Sequence, residues 1–301
     1  MKPVIMIAGP TASGKSALAV RLAKELGGEV INADSMQVYS DLRIISARPA
    51  DDEMKTVPHH LFGHVDGGTR YSVGAWIRQA VPIIIDCLAR GIYPILVGGT
   101  GMYFKALTDG LADIPDVPDY IMAGLKERLS GEGIKNLQAE AQHCDPIATA
   151  RLQGDDPQRL LRILSVYQHT GKPLSLWQQD TTRPIIPKPD WRGVMLSPPR
   201  DELYARIDKR FEKMVEMGGL NEVQDLLSRD LAPDLPVMKA IGVSQLLSAK
   251  GEAWISLCQR DSRRFAKRQM TYFRKYAHDW AWHTHVDIKT LTMMDIFDSS
   301  Y

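Results

Sequence analysis

The sequence predicts an α/β protein whose parallel sheet is interrupted by a helical insertion and completed by C-terminal helices. Three observations predict it. Short apolar runs at residues 4–8, 29–33, 94–98 and 193–197 alternate with segments of helical periodicity, the pattern of strands buried on both faces of a sheet. The first run leads directly into Gly9-Pro10-Thr11-Ala12-Ser13-Gly14-Lys15-Ser16 and then into a helix-like stretch at 17–24. Between residues 119 and 180 the strands stop and only helical patterning remains, bracketed by Ile114-Pro115-Asp116-Val117-Pro118 and by a proline-rich stretch at 183–189.

Taken in order, residues 9–16 fit the spacing G-x-x-x-x-G-K-[ST] between a strand and a helix, so the core is expected to be P-loop NTPase-like. The end glycines let successive backbone N–H groups turn inward around a pyrophosphate at a helix N-terminus. Lys15 adds a full positive charge, and the Ser16 hydroxyl suits Mg²⁺. Residues 72–90 read as a helix that Pro82 is expected to kink or break, with Gly91 ending it before the third strand. Within the strandless part, one helix is expected at 120–129 and a second where Asp156 caps and Pro157 occupies the first turn. The expected division is a core at 1–118, a helical insertion at 119–189 and a resumed core with C-terminal helices at 190–301. The tail at 287–301, with Met293, Met294, Ile296 and Phe297 beside acids, is expected to be a docked terminal helix.

Composition narrows the function. The chain has 301 residues, 44% hydrophobic and 24% charged, with a formal net charge of +1, so any attraction for nucleic acid must be local. Cys87, Cys144 and Cys258 are widely spaced and odd in number, which argues against a disulfide framework or a zinc site. No secretion signal opens the chain and no stretch approaches 18 apolar residues, so a cytoplasmic protein without membrane contact is expected. One local basic run stands out: Arg260, Arg263, Arg264, Lys267, Arg268, Arg274 and Lys275 face the single acid Asp261. On a helix, Ala266, Met270, Phe273, Ala277 and Trp280 form an apolar stripe, while Arg260, Arg264, Lys267, Arg274 and His278 follow a neighbouring one. Such a helix docks by one face and presents cations on the next, giving phosphate contacts without sequence reading.

A nucleotide hydrolase places an acid at the end of a second strand to hold Mg²⁺. Here the run at 94–98 ends in Gly98-Gly99-Thr100-Gly101 and the run at 193–197 ends in Ser197, neither of them acidic. The acid that does follow a strand is Asp34, which either caps a turn or faces the group held by the loop.

The loop, together with Asn32-Ala33-Asp34-Ser35-Met36-Gln37-Val38-Tyr39, Pro58-His59-His60-Leu61 and Gly98-Gly99-Thr100-Gly101-Met102-Tyr103, closely resembles the tRNA dimethylallyltransferase family. The likeness continues through Asp156-Pro157-Gln158-Arg159-Leu160-Leu161-Arg162, Arg206-Ile207-Asp208-Lys209-Arg210, Met238-Lys239-Ala240-Ile241-Gly242 and Ala266-Lys267-Arg268-Gln269-Met270-Thr271. It covers nearly the whole chain up to about His283.

The resemblance implies transfer of a dimethylallyl group from dimethylallyl diphosphate to N6 of the adenosine 3′ of the anticodon, in tRNAs that read codons beginning with U. N6-dimethylallyladenosine and diphosphate are the products. On this reading the loop stabilises a departing diphosphate rather than a transferred phosphoryl group. A strand end without a water-activating acid also protects an easily ionised allylic carbon. The resemblance makes Asp34 the general base, with Thr100 and Lys15 as further catalytic residues. Gly9, Pro10, Thr11, Ala12, Ser13, Gly14, Lys15 and Ser16 would hold the diphosphate and Ser16 the Mg²⁺. Arg200 and Arg206 either reach the diphosphate as bidentate donors or belong to a solvated basic face with Lys209, Arg210 and Lys213.

The implied tRNA path comprises Asp34, Ser35, Met36, Gln37 and Thr100 in the first part of the core, and Met122, Gln158, Arg159, Leu160, Leu161 and Arg162 in the insertion. It continues through Lys239, Ala240, Ile241, Gly242, Val243 and Ser244, with Arg264, Lys267 and Arg268 on the basic helix. The adenine must leave its stack to react, so a channel beside the insertion is expected, with the anticodon stem-loop as partner and the chain a monomer. His59 and His60 receive no catalytic role. The chain departs from the family pattern at Ile45, where Gly is usual, and at Val243 and Tyr272, where an aromatic residue and Trp are common. A small-molecule kinase, a prenyltransferase of free adenine nucleotides and an RNA-binding protein with a vestigial nucleotide site remain alternatives from the residues alone.

Overall fold

Strand β1 (Val4–Ala8) has every residue buried, as its uninterrupted apolar sequence requires of a strand covered on both faces. In the computed structural model, which describes residues 2–180 and 183–285, the chain runs from β1 through α1 (Lys15–Leu26), β2 (Gly28–Asn32), the short α2 (Asp51–Met54), β3 (His59–His60), α3 (Val73–Ala89) and β4 (Tyr93–Gly98) to α4 (Gly101–Thr108). Then come α5 (Asp119–Glu132), α6 (Ile134–Cys144), α7 (Pro146–Thr149), α8 (Pro157–Thr170) and α9 (Leu174–Trp177). The sheet resumes with β5 (Trp191–Leu196), followed by α10 (Arg200–Glu216), α11 (Gly219–Ser228), α12 (Val243–Leu246), α13 (Gly251–Tyr276) and β6 (Ala281–His283).

The six strands are ordered β3-β2-β4-β1-β5-β6 and every pair is parallel, with Ile7 beside Val97 on one side and Val194 on the other. Alternate residues of β1 serve opposite faces, as a pleated strand dictates. Ile5 and Ile7 pack with Leu18 and Leu22 of α1, while Val4, Met6 and Ala8 pack with Trp76, Phe104, Phe273 and Trp280. Because all strands run one way, the loops after β1, β2 and β4 leave from the same edge, where ligands of parallel sheets bind.

The four expected strands are present, and two that the sequence reading did not include flank them. β3 is two histidines long and β6 reads Ala281-Trp282-His283, too short and too polar for a periodic signal. The expected break at Pro82 does not occur: α3 is continuous from its Ser72 cap, whose hydroxyl accepts from the Ala75 N–H. Pro82 and Arg78, whose carbonyl loses its helical partner, are both exposed, so that carbonyl sits on the solvent side of the helix.

The chain separates into two compact units, residues 1–108 with 186–301, and residues 109–185. Both boundaries fall earlier than the expected 118/119 and 189/190. The cause is packing: Ile114 and Val117 belong to the core of the insertion, and Ile186 to that of the sheet. In the second unit Leu125, Leu137, Leu160 and Leu164 form the centre. Asp156 caps α8 through the Arg159 N–H, as expected, and the wholly buried Asp145 accepts from the N–H groups of Ala148 and Ser175.

Helix α13 carries the expected stripe: Ala266, Phe273, Ala277 and Trp280 are buried, although the helix ends at Tyr276 and the last two lie beyond it. The cations are not as uncompensated as the sequence suggests, since Arg263 pairs with Asp208 of α10, while Arg260 and Arg264 share Asp261. No helix among the described residues is long and apolar enough to cross a membrane. The helix expected at 287–301 lies outside the described residues.

Candidate active site

Gly14 has φ +91°, a left-handed conformation that glycine adopts without strain, and it forms the N-cap of α1. Lys15 is buried, and its Nζ donates to the Pro10 carbonyl at 3.3 Å. Burial pushes the Lys15 ammonium down to about 8, with Asp34 opposing that shift and Arg210 adding to it. The Ser13 hydroxyl is buried and lacks a partner among the described residues, an unmet donor inside the loop.

Asp34 follows β2 by two residues. Asn32 fixes it from behind: its carbonyl Oδ1 accepts from the Asp34 N–H at 2.9 Å, and its Nδ2 donates to the carbonyls of Asp34 and Leu61. Asp34 Oδ1 accepts from the Met36 N–H at 2.9 Å, so this residue does cap a turn, and its half-buried carboxylate also lines a cavity. Thr100 Oγ1 accepts from the Ser35 N–H at 3.0 Å and donates to the Ser35 hydroxyl, and the Thr100 N–H donates to the Ala33 carbonyl. Gly98 is required for this approach, because a Cβ there would lie 1.9 Å from the Ala33 oxygen.

Two cavities meet at α10. One, of about 330 Å³, is lined by Ser13, Gly14, Lys15, Ser16, Arg206 and Arg210. The other, of about 230 Å³, is lined by Thr11, Asp34, Ser35, Arg210, Lys239 and Arg268, with Ile45, Ile207, Phe211 and Phe265 as apolar wall. Arg210 belongs to both. Its guanidinium donates to Thr11 Oγ1, its Nε is buried without a partner among the described residues, and burial pushes it down to about 10 against the pull of Asp34. The sequence reading left Arg210 on a solvated face, and this is a correction.

Gln269 was also missed as a functional residue. Its buried amide accepts from the Thr11 N–H and donates to the Gly99 carbonyl, both at 3.0 Å, tying the phosphate loop to the turn before Thr100. A polar residue at the centre of an otherwise apolar helical stripe was the signal available in the sequence.

The remaining candidates divide. Arg206 faces the loop cavity with Glu202 3.1 Å from its guanidinium, whereas Arg200 is exposed over the Tyr204 ring and lines neither cavity. Met36, Ala240 and Ile241 line the Asp34 cavity, and Gln37 is buried with its amide on the carbonyls of Ser46 and Ala47. The Gly242 carbonyl accepts from Trp254 Nε1, Ser244 is exposed, and Val243 is wholly buried, which leaves its side chain to the core. In the insertion, Leu160 and Leu161 are likewise core residues, Gln158 is exposed and Met122 half-buried. Arg159 and Arg162 line a cavity of about 240 Å³ with Arg151, and burial lowers the Arg162 pKa. Arg264 and Lys267 are exposed. His59 and His60 behave as structural groups: His59 Nδ1 meets the Val57 carbonyl, and His60 Nε2 lies 2.7 Å from Glu29.

The chain matches two family models, IPP transferase over residues 37–276 and isopentenyl transferase over residues 2–61. It is 49% identical over 286 residues to a tRNA dimethylallyltransferase of Maricaulis maris, covering 93% of this chain and 92% of that one. Among solved structures it is similar to the full-length tRNA isopentenylpyrophosphate transferase of Bacillus halodurans, with 33% identity, TM-score 0.68 and coverage of 97% and 94%. A eukaryotic dimethylallyltransferase acting on tRNA matches at 29% identity and TM-score 0.81, covering 97% of this chain and 76% of that one.

Proposed function

We propose a mechanism from one premise: the chain belongs to the IPP transferase family, and its substrate is tRNA. Its relatives are named tRNA dimethylallyltransferases, and on this reading the chain is such a prenyltransferase, acting on the adenosine beside the anticodon. The donor is dimethylallyl diphosphate. Its diphosphate lies on the loop at 9–16, held by backbone N–H groups, Lys15 and Arg210, with Arg206 at the rim. Adenine N6 attacks the allylic carbon, the carbon–oxygen bond to diphosphate breaks, and Asp34 accepts the proton that N6 loses. Lys15 and Arg210 stabilise the charge that grows on the departing diphosphate. Thr100 acts by holding Ser35, and through it the Asp34 turn, in register with the loop. The observation that carries this reading is Arg210, one cation that lines both the loop cavity and the cavity of Asp34.

Mg²⁺ fits this site as a diphosphate-bound ion. The Ser16 hydroxyl, which lines the loop cavity, would be the chain's own contact with such an ion. When bound, the ion neutralises leaving-group charge. The tRNA contacts of the insertion, a monomeric state and a cytoplasmic location complete the proposal. Nucleoside mass analysis of an unmodified tRNA transcript incubated with enzyme and donor tests it. One added C5H8 on the adenosine 3′ of the anticodon supports the reading, and modification elsewhere or none contradicts it.

A further inference from the structure

Beyond the reacting adenosine, the core unit carries an aromatic surface with no partner in the chemistry above. Tyr272 and Tyr276 lie one turn apart on α13, their ring centroids 4.5 Å apart at 38°. Tyr272 is the inner ring. A Cβ on Gly101 would come within 2.2 Å of it, so the start of α4 rests directly on its face, and its hydroxyl donates to Met102 Sδ at 3.3 Å. Tyr276 is the outer ring, 41% exposed, and Met102, which meets the Tyr272 hydroxyl, is 42% exposed. The ammonium groups of Lys105 and Lys275 stand 5.4 and 5.2 Å from the centre of its ring. Both ammonium groups lie over the ring, and an exposed aromatic ring with cations close by is how proteins hold unpaired nucleobases, the ring supplying a stacking face and the cations a phosphate field.

Position ties this patch to the reaction. Thr100 is bonded through its hydroxyl to Ser35 and through its N–H to the Ala33 carbonyl, on either side of Asp34. Met102 follows two residues later, so it stands within about 7 Å of Thr100 along the backbone. A base resting there would be a near neighbour of one presented to Asp34.

We propose that Tyr276, backed by Tyr272 and flanked by Met102, is a stacking platform for an unpaired base of the anticodon loop adjacent to the reacting adenosine. This rests on the tRNA-modifying function above. Stacking accepts any base, so the platform supplies affinity and holds the loop open rather than reading sequence.

The test compares wild type with Tyr276→Ala, Tyr276→Phe and Met102→Ala, using an anticodon stem-loop and measuring KM for RNA, KM for dimethylallyl diphosphate and kcat separately. A second readout is the fluorescence of 2-aminopurine placed on either side of the reacting adenosine, because stacking quenches it. The platform predicts that Tyr276→Ala raises the RNA KM about tenfold and abolishes the quench at one of those positions, with the donor KM unmoved. Tyr276→Phe, which keeps the ring, restores both, and Met102→Ala gives a smaller effect in the same direction. An unchanged RNA KM and quench in Tyr276→Ala, or a Phe variant as impaired as Ala, overturns the proposal. Absence of transfer by the wild type would instead overturn the assigned reaction, so the two failures are distinguishable.

Discussion

Asp34 joins a structural contact to the role proposed for it: Oδ1 caps its own turn while the carboxylate lines the cavity shared with Arg210. Replacing it by Asn keeps the cap acceptor and removes the base, so transfer is expected to fall by about 10²–10⁴-fold with the fold intact, as single-turnover kinetics would register. Lys15 adds a pH dependence. Burial lowers its pKa to about 8, so the free protein loses this charge above that pH, and a bound diphosphate favours the charged form. Donor binding should therefore weaken as pH rises through about 8 and be accompanied by proton uptake there; calorimetry in buffers of different ionisation enthalpy would reveal a flat response if Lys15 were not in the site. Two of the three arginines of α10 separate cleanly. Arg210→Ala should raise the donor KM by about 10–100-fold, whereas Arg200→Ala, remote from both cavities, should stay within about twofold.

At the scale of elements, the site depends on how strand ends are clamped. Glu29 on β2 pairs with Arg90 after α3 at 2.7 Å and with His60 of β3 at 2.7 Å, and its hydrogen bond from Arg90 is the main reason its pKa falls to about 2. A depressed carboxylate pKa stabilises the fold above the unfolded value of 4.5 and loses that contribution as pH falls toward 2. Glu29→Gln should thus cost about 2 kcal/mol near neutral pH, and denaturant titrations should find the gap to wild type closing across that acidic window. Gln269 clamps from α13. Gln269→Leu leaves the Thr11 N–H and Gly99 carbonyl unpaired, and the donor KM should rise with a stability loss on the order of 2 kcal/mol. The principal strands were legible because their apolar runs need burial on two faces. β3 was not, because its pairing with β2 rests on His59 and His60 opposite Val30 and Ile31, a match made by the sheet rather than by their own residues.

For the whole molecule, an α/β core interrupted by a helical unit was readable from where strands cease, and its limits shifted only because Ile114 and Ile186 pack with different units than proximity suggests. The loop and Asp34 were legible as local motifs. The contacts of Arg210 and Gln269 were not, since they reach Thr11 from 199 and 258 residues away, and the sequence marks Gln269 only as a polar residue within an apolar stripe. Electrostatics at this scale gives a further expectation: Lys267 is exposed with no acidic partner among the described residues, so Lys267→Ala should reduce the salt dependence of tRNA binding by about one charge while leaving the donor KM unchanged. The central claim is that this phosphate loop releases diphosphate from a prenyl donor under the control of Asp34. The most direct measurement is single-turnover transfer of labelled dimethylallyl to an anticodon stem-loop by wild type and Asp34→Asn, with ATP tested in place of the prenyl donor. The account predicts labelled RNA from the wild type, a loss of about 10²-fold or more in the variant, and no group transfer from ATP. Equal rates in the two proteins, or phosphoryl transfer from ATP, would contradict it.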